Sequence, residues 1–190
     1  MSTLSLANHP SVPSLKKLWN REYASQRLAA ELERSEKENN YQFSIILLEL
    51  EGLSQSVANR LGYSTKDNIW PQVLSFLTRD LSSEEVCCRL GGDEFLLILP
   101  ATPGGKASAR AENLRKAWGA EVAASATILE MTVAYASSFA HGATIQTLFA
   151  AADQALDFEK QRQSSMPTPT PARSISPVFA HSLRQALGNS

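Results

Sequence analysis

The run Arg89-Leu90-Gly91-Gly92-Asp93-Glu94-Phe95 contains the residue types that phosphate and divalent-cation chemistry require. Two glycines in a turn let a backbone approach a phosphate without side-chain obstruction, and two carboxylates directly after them can hold a hard cation such as magnesium. That combination suits nucleoside triphosphates. The same letters also describe a plain hairpin turn with solvated acids, and the spacing alone leaves both readings open. Lys106 follows Gly104-Gly105, but no Gly-x-x-x-x-Gly-Lys-[Ser/Thr] pattern surrounds it and a helix start accounts for it. Cys87 and Cys88 are adjacent. In a strand they point to opposite faces, so they neither bridge each other nor make a metal-ligand spacing, and they read as small buried hydrophobes.

The elements around this run are legible from periodicity. Leu15, Leu18, Tyr23, Leu28 and Leu32 recur at helical spacing from Leu15 to Asn39, and Tyr41 to Glu49 is an apolar run that predicts a buried strand. A helical stretch follows through Leu53, Val57 and Leu61, breaks at Gly62 and resumes from about Asp67 to Leu81. Val86 to Leu90 and Phe95 to Leu99 flank Gly91-Gly92 as a predicted hairpin. Lys106 to Trp118 predicts a helix, Ile128 to Phe139 a strand, and Ile145 to Gln161 a last core helix. This order is α/β or α+β with one sheet. Trp19, Trp70 and Trp118 fall on apolar helix faces, where core packing is expected.

After Gln163 the composition turns to Ser, Pro and Thr, which predicts a linker over residues 163–176. Ser176-Pro177 then opens a short amphipathic helix over residues 177–190, with Val178, Phe179, Leu183 and Leu187 in one stripe and Gly188 as a stop. That stripe needs a surface, on its own domain or in a partner's groove. Residues 1–13 read as a flexible N-terminus and 14–162 as the core domain.

Composition sets bounds on function. The chain has 190 residues, 43% hydrophobic and 19% charged, with a formal net charge of -1. These values fit one globular domain with tails, and the absence of a Lys/Arg block argues against nucleic acid. No apolar run approaches the ~18 residues of a membrane span and no signal-peptide pattern opens the chain, so a cytoplasmic protein without membrane contact is expected. With no sensory segment ahead of the core, input is expected to arrive through a partner, the tail or expression level.

Gly91-Gly92-Asp93-Glu94-Phe95 resembles, letter for letter, the signature loop of the GGDEF family of diguanylate cyclases. The likeness extends over roughly residues 15–162 in element order. It implies a nucleotidyl cyclase or polymerase-palm type of fold, a central mixed sheet with the signature hairpin, flanked by helices. It also implies that two domains, each with GTP and magnesium, meet to form cyclic di-GMP. By the same resemblance Asp93 is the metal-ligating acid and aids 3'-hydroxyl activation, Glu94 is the following acid, and Gly91 and Gly92 permit close approach of the backbone. Glu49-Leu50-Glu51 stands for the family's Asp-x-Asp, so Glu49 and the Leu50 carbonyl are the further metal ligands. Glutamate adds a methylene, which weakens the expected magnesium binding because that ion demands near-octahedral geometry. Asp67 and, one helical step out of place, Asn59 correspond to guanine-reading positions. Arg89 and Lys160 correspond to an arginine before the loop and a late phosphate-contacting lysine.

Other positions depart from the family. Leu53 and Ser54 replace a phenylalanine and a phosphate-binding lysine, Ala58-Asn59 stands near an Asn-Asp pair, and Pro13-Ser14-Leu15-Lys16 replaces the opening Asp-x-Leu-Thr. Ala134-Tyr135-Ala136 replaces Ser-Ile-Gly, and Ser82 and Glu85 replace the Arg-x-x-Asp of the inhibitory product site. Each lost polar partner costs roughly 1 to 3 kcal/mol. The resemblance therefore implies a degenerate member, a regulatory or protein-interaction module with weak GTP turnover. The alternative is an active cyclase without product inhibition, which would need a homodimer.

Overall fold

Strand β2, Ser44–Glu51, organises the molecule. Its sequence, Ser-Ile-Ile-Leu-Leu-Glu-Leu-Glu, is nearly continuous in apolar residues because helices cover both faces of the sheet. The computed structural model describes residues 18–51, 69–125, 129–141 and 144–165. Asn59, Asp67, Leu53, Ser54, the 1–13 tail, most of the linker and the Val178, Phe179, Leu183 and Leu187 stripe lie outside the described residues.

In chain order the elements are β1 (Leu18–Trp19), α1 (Arg21–Lys37), β2, α2 (Ile69–Thr78), β3 (Val86–Gly91), β4 (Glu94–Leu99), α3 (Gly104–Ser125), β5 (Glu130–Ser137), the short α4 (Ser138–His141) and α5 (Ile145–Ser165). The five strands form one sheet in the order β1-β3-β4-β2-β5. Among the described residues β1 and β3 pair in parallel, and the other neighbours are antiparallel. The expected central mixed sheet flanked by helices is therefore what forms.

Alternation along the strands sorts side chains into two cores. Ile46, Leu48 and Leu50 join Phe95 and Leu97 against Val73, Phe76, Ala111 and Trp118 of α2 and α3. Ile45 and Leu47 join Leu96 and Ile98 against Ala24, Leu28, Leu148 and Leu156 of α1 and α5. Cys87 and Cys88 are both buried, one in each core, as their adjacency in a strand requires. Trp118 stands edge-on to Phe76, ring centroids 5.0 Å apart, and donates its indole N–H to the Leu129 carbonyl at 2.9 Å.

Several boundaries differ from the sequence expectation: α3 runs on from Trp118 to Ser125, β2 starts at Ser44 and ends at Glu51, and β5 stops at Ser137. Leu18 and Trp19 are not helical: they pair with Cys87 and Cys88 of β3, and α1 begins only after Asn20, whose side chain caps the helix by accepting from the Tyr23 N–H at 2.9 Å. Trp19 is consequently no core residue. It is 42% exposed and stacks on Tyr23 at 3.9 Å. The hairpin turn is Gly92-Asp93 rather than Gly91-Gly92, since Gly91 still pairs with Glu94 across a bulge. Finally, α5 runs past Gln163 to Ser165, with Gln163 tied to the sheet by the Thr132 hydroxyl at 3.0 Å.

Candidate active site

Everything expected to do chemistry within the described residues gathers where the β3–β4 hairpin tip meets the end of β2. The Leu50 N–H donates to the Asp93 carbonyl at 3.0 Å, so the tip is fastened beside Glu49-Leu50-Glu51. Gly92 holds φ +49°, and a Cβ there would meet nothing within 4 Å. Its demand for glycine is thus purely conformational. Arg89 folds back over the tip and donates twice to the Gly92 carbonyl, at 3.0 and 2.7 Å. On the other side Arg21 Nε donates to the Leu90 carbonyl at 2.9 Å, and its guanidinium lies 3.4 Å from where a Gly91 Cβ would sit. Two arginines therefore brace the glycine turn through its carbonyls.

Glu49 faces Glu94 directly across the β2–β4 ladder. Both occupy the alternation that faces α1 and α5, beyond Leu47 and Leu96. From α5, Lys160 reaches down and donates Nζ to Glu49 Oε2 at 2.5 Å. Glu49 is 5% exposed, so this is a shielded ion pair rather than a surface one. The ammonium also acts on its neighbours. Burial, followed by repulsion from Glu49 and Asp153, pushes the Glu94 carboxyl up to about 8, while Lys160 and Arg21 pull the other way. Burial and Glu49 likewise raise the Glu51 carboxyl, again opposed by Lys160. One lysine side chain therefore compensates three carboxylates.

Ser82 and Glu85 sit together just before β3, the Ser82 N–H donating to the Glu85 carboxylate at 2.8 Å. This is a local turn contact with no guanidinium in either residue.

A family model described as diguanylate cyclase, GGDEF domain, matches residues 12–166. This chain belongs to the GGDEF domain family. Among relatives, it is 26% identical over 162 residues to the diguanylate cyclase TpbB of Pseudomonas aeruginosa, a match covering 83% of this chain and 37% of TpbB. The chain thus spans little more than a third of that curated relative. The solved GGDEF domain of TpbB superposes with a TM-score of 0.65 at 24% identity, covering 82% of this chain and 90% of that one. Diguanylate cyclase SiaD of the same organism, solved in complex with its activator SiaC, gives a TM-score of 0.61 at 23% identity over 75% of this chain and 55% of that one. These structural likenesses carry the fold.

GGDEF cyclases use magnesium, and the donor set here fits that ion poorly as a resident group. The set expected from the resemblance is two carboxylates, Glu49 and Asp93, with the Leu50 carbonyl, and magnesium held by so few protein groups leans on water and phosphate for the rest. The carboxylate best placed to ligate, Glu49, is already neutralised by Lys160. Lys160 is thus on a carboxylate where the resemblance had it on phosphate. Asp153 was missed by the sequence reading. The signal was present, because Asp153 and Lys160 lie seven residues apart on one helix and so share a face. The hold of Arg21 on the Leu90 carbonyl had no sequence signal, since it spans 69 positions of chain. No described helix is long and apolar enough to cross a membrane.

Proposed function

We propose that this GGDEF domain works in cyclic di-GMP signalling chiefly as a regulatory, protein-interaction module with weak or no GTP turnover. The carrying observation is the Lys160–Glu49 ion pair, which commits the cation-binding carboxylate and the phosphate-matching lysine to each other. Magnesium and the triphosphate would each have to displace one member of a shielded pair. The sequence adds Ser54 in place of a phosphate-binding lysine and Ala58 near a guanine-reading position. In this reading Glu49, the Leu50 carbonyl and Asp93 are the residues magnesium would use, and Gly91, Gly92, Asn59, Asp67 and Arg89 those GTP would meet. Both ligands bind weakly.

The partner is a protein, gripped through Val178, Phe179, Leu183 and Leu187. SiaD, a relative in fold, is held by a protein activator, which is the kind of assembly the proposal extends to this chain.

A second reading has its own support. The Gly92-Asp93 tip is kept, pinned to Leu50 and braced by Arg89. In that reading the chain is a diguanylate cyclase free of product inhibition. Two chains meet, Asp93 and Glu94 assist attack of a 3'-oxygen on the partner nucleotide's α-phosphorus, and pyrophosphate leaves. Titration calorimetry with GTP and magnesium, run beside product analysis and an Asp93→Ala control, separates the two. The regulatory reading expects at most a trace of cyclic di-GMP and a function untouched by the substitution; sustained product formation, lost together with the function in the control, overturns it.

A further inference from the structure

We infer that Lys160 is a built-in counter-ion that fills the cation position of this site, holding Glu49 closed to divalent metal until the ammonium is displaced. It rests on the reading that the site is not a resident metal centre, and names the residue responsible.

Glu49 is almost wholly shielded, and a carboxylate held away from water calls for a countercharge beside it. Glu51 faces Glu130 across the β2–β5 ladder, Glu94 lies opposite Glu49, and Asp153 acts on Glu94 from α5. Among the described residues the cations facing these acids are Lys160, which meets Glu49 directly and draws on Glu51 and Glu94, and Arg21, which draws on Glu94 and is held to the Leu90 carbonyl. Arg21 is anchored by the hairpin backbone, whereas Lys160 hangs on a flexible four-carbon stem from the penultimate turns of α5, its side chain 24% exposed. Lys160 is therefore the cation that can leave. A divalent ion seeking the same carboxylate oxygen must expel it, and the affinity for metal is lowered by the cost of breaking a shielded pair. The strength of that pair decides how open the site is.

The test is direct metal binding, read without any nucleotide. Mn2+ is titrated into the full chain and free ion is followed by electron paramagnetic resonance, for the wild type, Lys160→Met, Lys160→Arg and the double variant Lys160→Met with Glu49→Gln, each checked for fold by circular dichroism. Lys160→Met keeps the apolar stem and removes the charge, and is expected to bind Mn2+ at least ten-fold more tightly than the wild type. Lys160→Arg stays weak, and the added Glu49→Gln abolishes the gain. Equal affinity in wild type and Lys160→Met overturns the inference, as does a gain that survives Glu49→Gln. If Lys160→Met fails to fold, the wild-type ammonium serves instead. Its 15N-detected resonance, assigned by its loss in Lys160→Arg, is expected to shift as Mg2+ is added, and an unmoved resonance at saturating metal overturns the counter-ion role. Cyclic di-GMP formation is assayed separately, so sustained turnover would defeat the regulatory reading while leaving the Mn2+ comparison to decide the role of Lys160.

Discussion

Glu94 carries the clearest electrostatic consequence of the site. Its carboxyl is pushed from 4.5 up to about 8, first by burial and then by Glu49 and Asp153. A raised carboxyl means that the folded chain keeps a proton which the unfolded chain releases. This contribution to stability is fully present below about pH 4.5 and is lost as pH rises towards 8. Glu94→Gln, which cannot ionise, is expected to melt near the wild type at pH 5 and above it at pH 8, with the gap level beyond that. Thermal melts at pH 5, 6, 7, 8 and 9 check this, and a gap that does not change with pH would contradict it. Lys160 belongs to the same circuit, since removing its charge exposes Glu94 and Glu51 to more repulsion.

Among the elements, the hairpin was the most legible and also the most instructive in error. Gly91-Gly92 announced a turn, but the letters did not say which glycine remained in the ladder. The answer depended on the bulge after Arg89 and on two arginine side chains arriving from either side. Gly92 is the position that must take a left-handed backbone, with open space around it. Gly92→Ala is expected to cost ~1 kcal/mol and Gly92→Asn less, because asparagine tolerates that conformation better. Urea unfolding measures both, and equal losses would point to a steric cause instead. The opening helix failed in a different way: Leu18 shares the spacing of the α1 stripe, and only Asn20, a good cap, marks where helix replaces strand. Periodicity cannot see a parallel partner that lies seventy residues further on, as β3 does for β1. The site partly escaped for the same reason. Which charges neutralise which depends on α5 crossing the end of β2, a contact over 111 residues of chain.

Taken whole, the domain is a sheet buried on both faces, and its two thiols sit in the middle of it. Burial pushes Cys88 up to about 12 and Cys87 higher still. Neither is a nucleophile at neutral pH. A disulfide reagent such as DTNB is expected to leave both unreacted in the native protein at pH 8 and to titrate two thiols in denaturant, so the native reaction rate reports opening of the sheet. Rapid native labelling of either cysteine would mean that β3 is less secure than its packing indicates.

The order β1-β3-β4-β2-β5 also bears on how the chain is made. The apolar β2 is complete at Glu51, yet both strands that flank it lie downstream, at Glu94–Leu99 and Glu130–Ser137. At ~5 to 20 residues per second, the ribosome leaves this strand without either neighbour for seconds. The nascent protein must carry this apolar strand, open on both edges, through that interval, and the time between synthesis of residues 51 and 94 is when a holding chaperone would matter most.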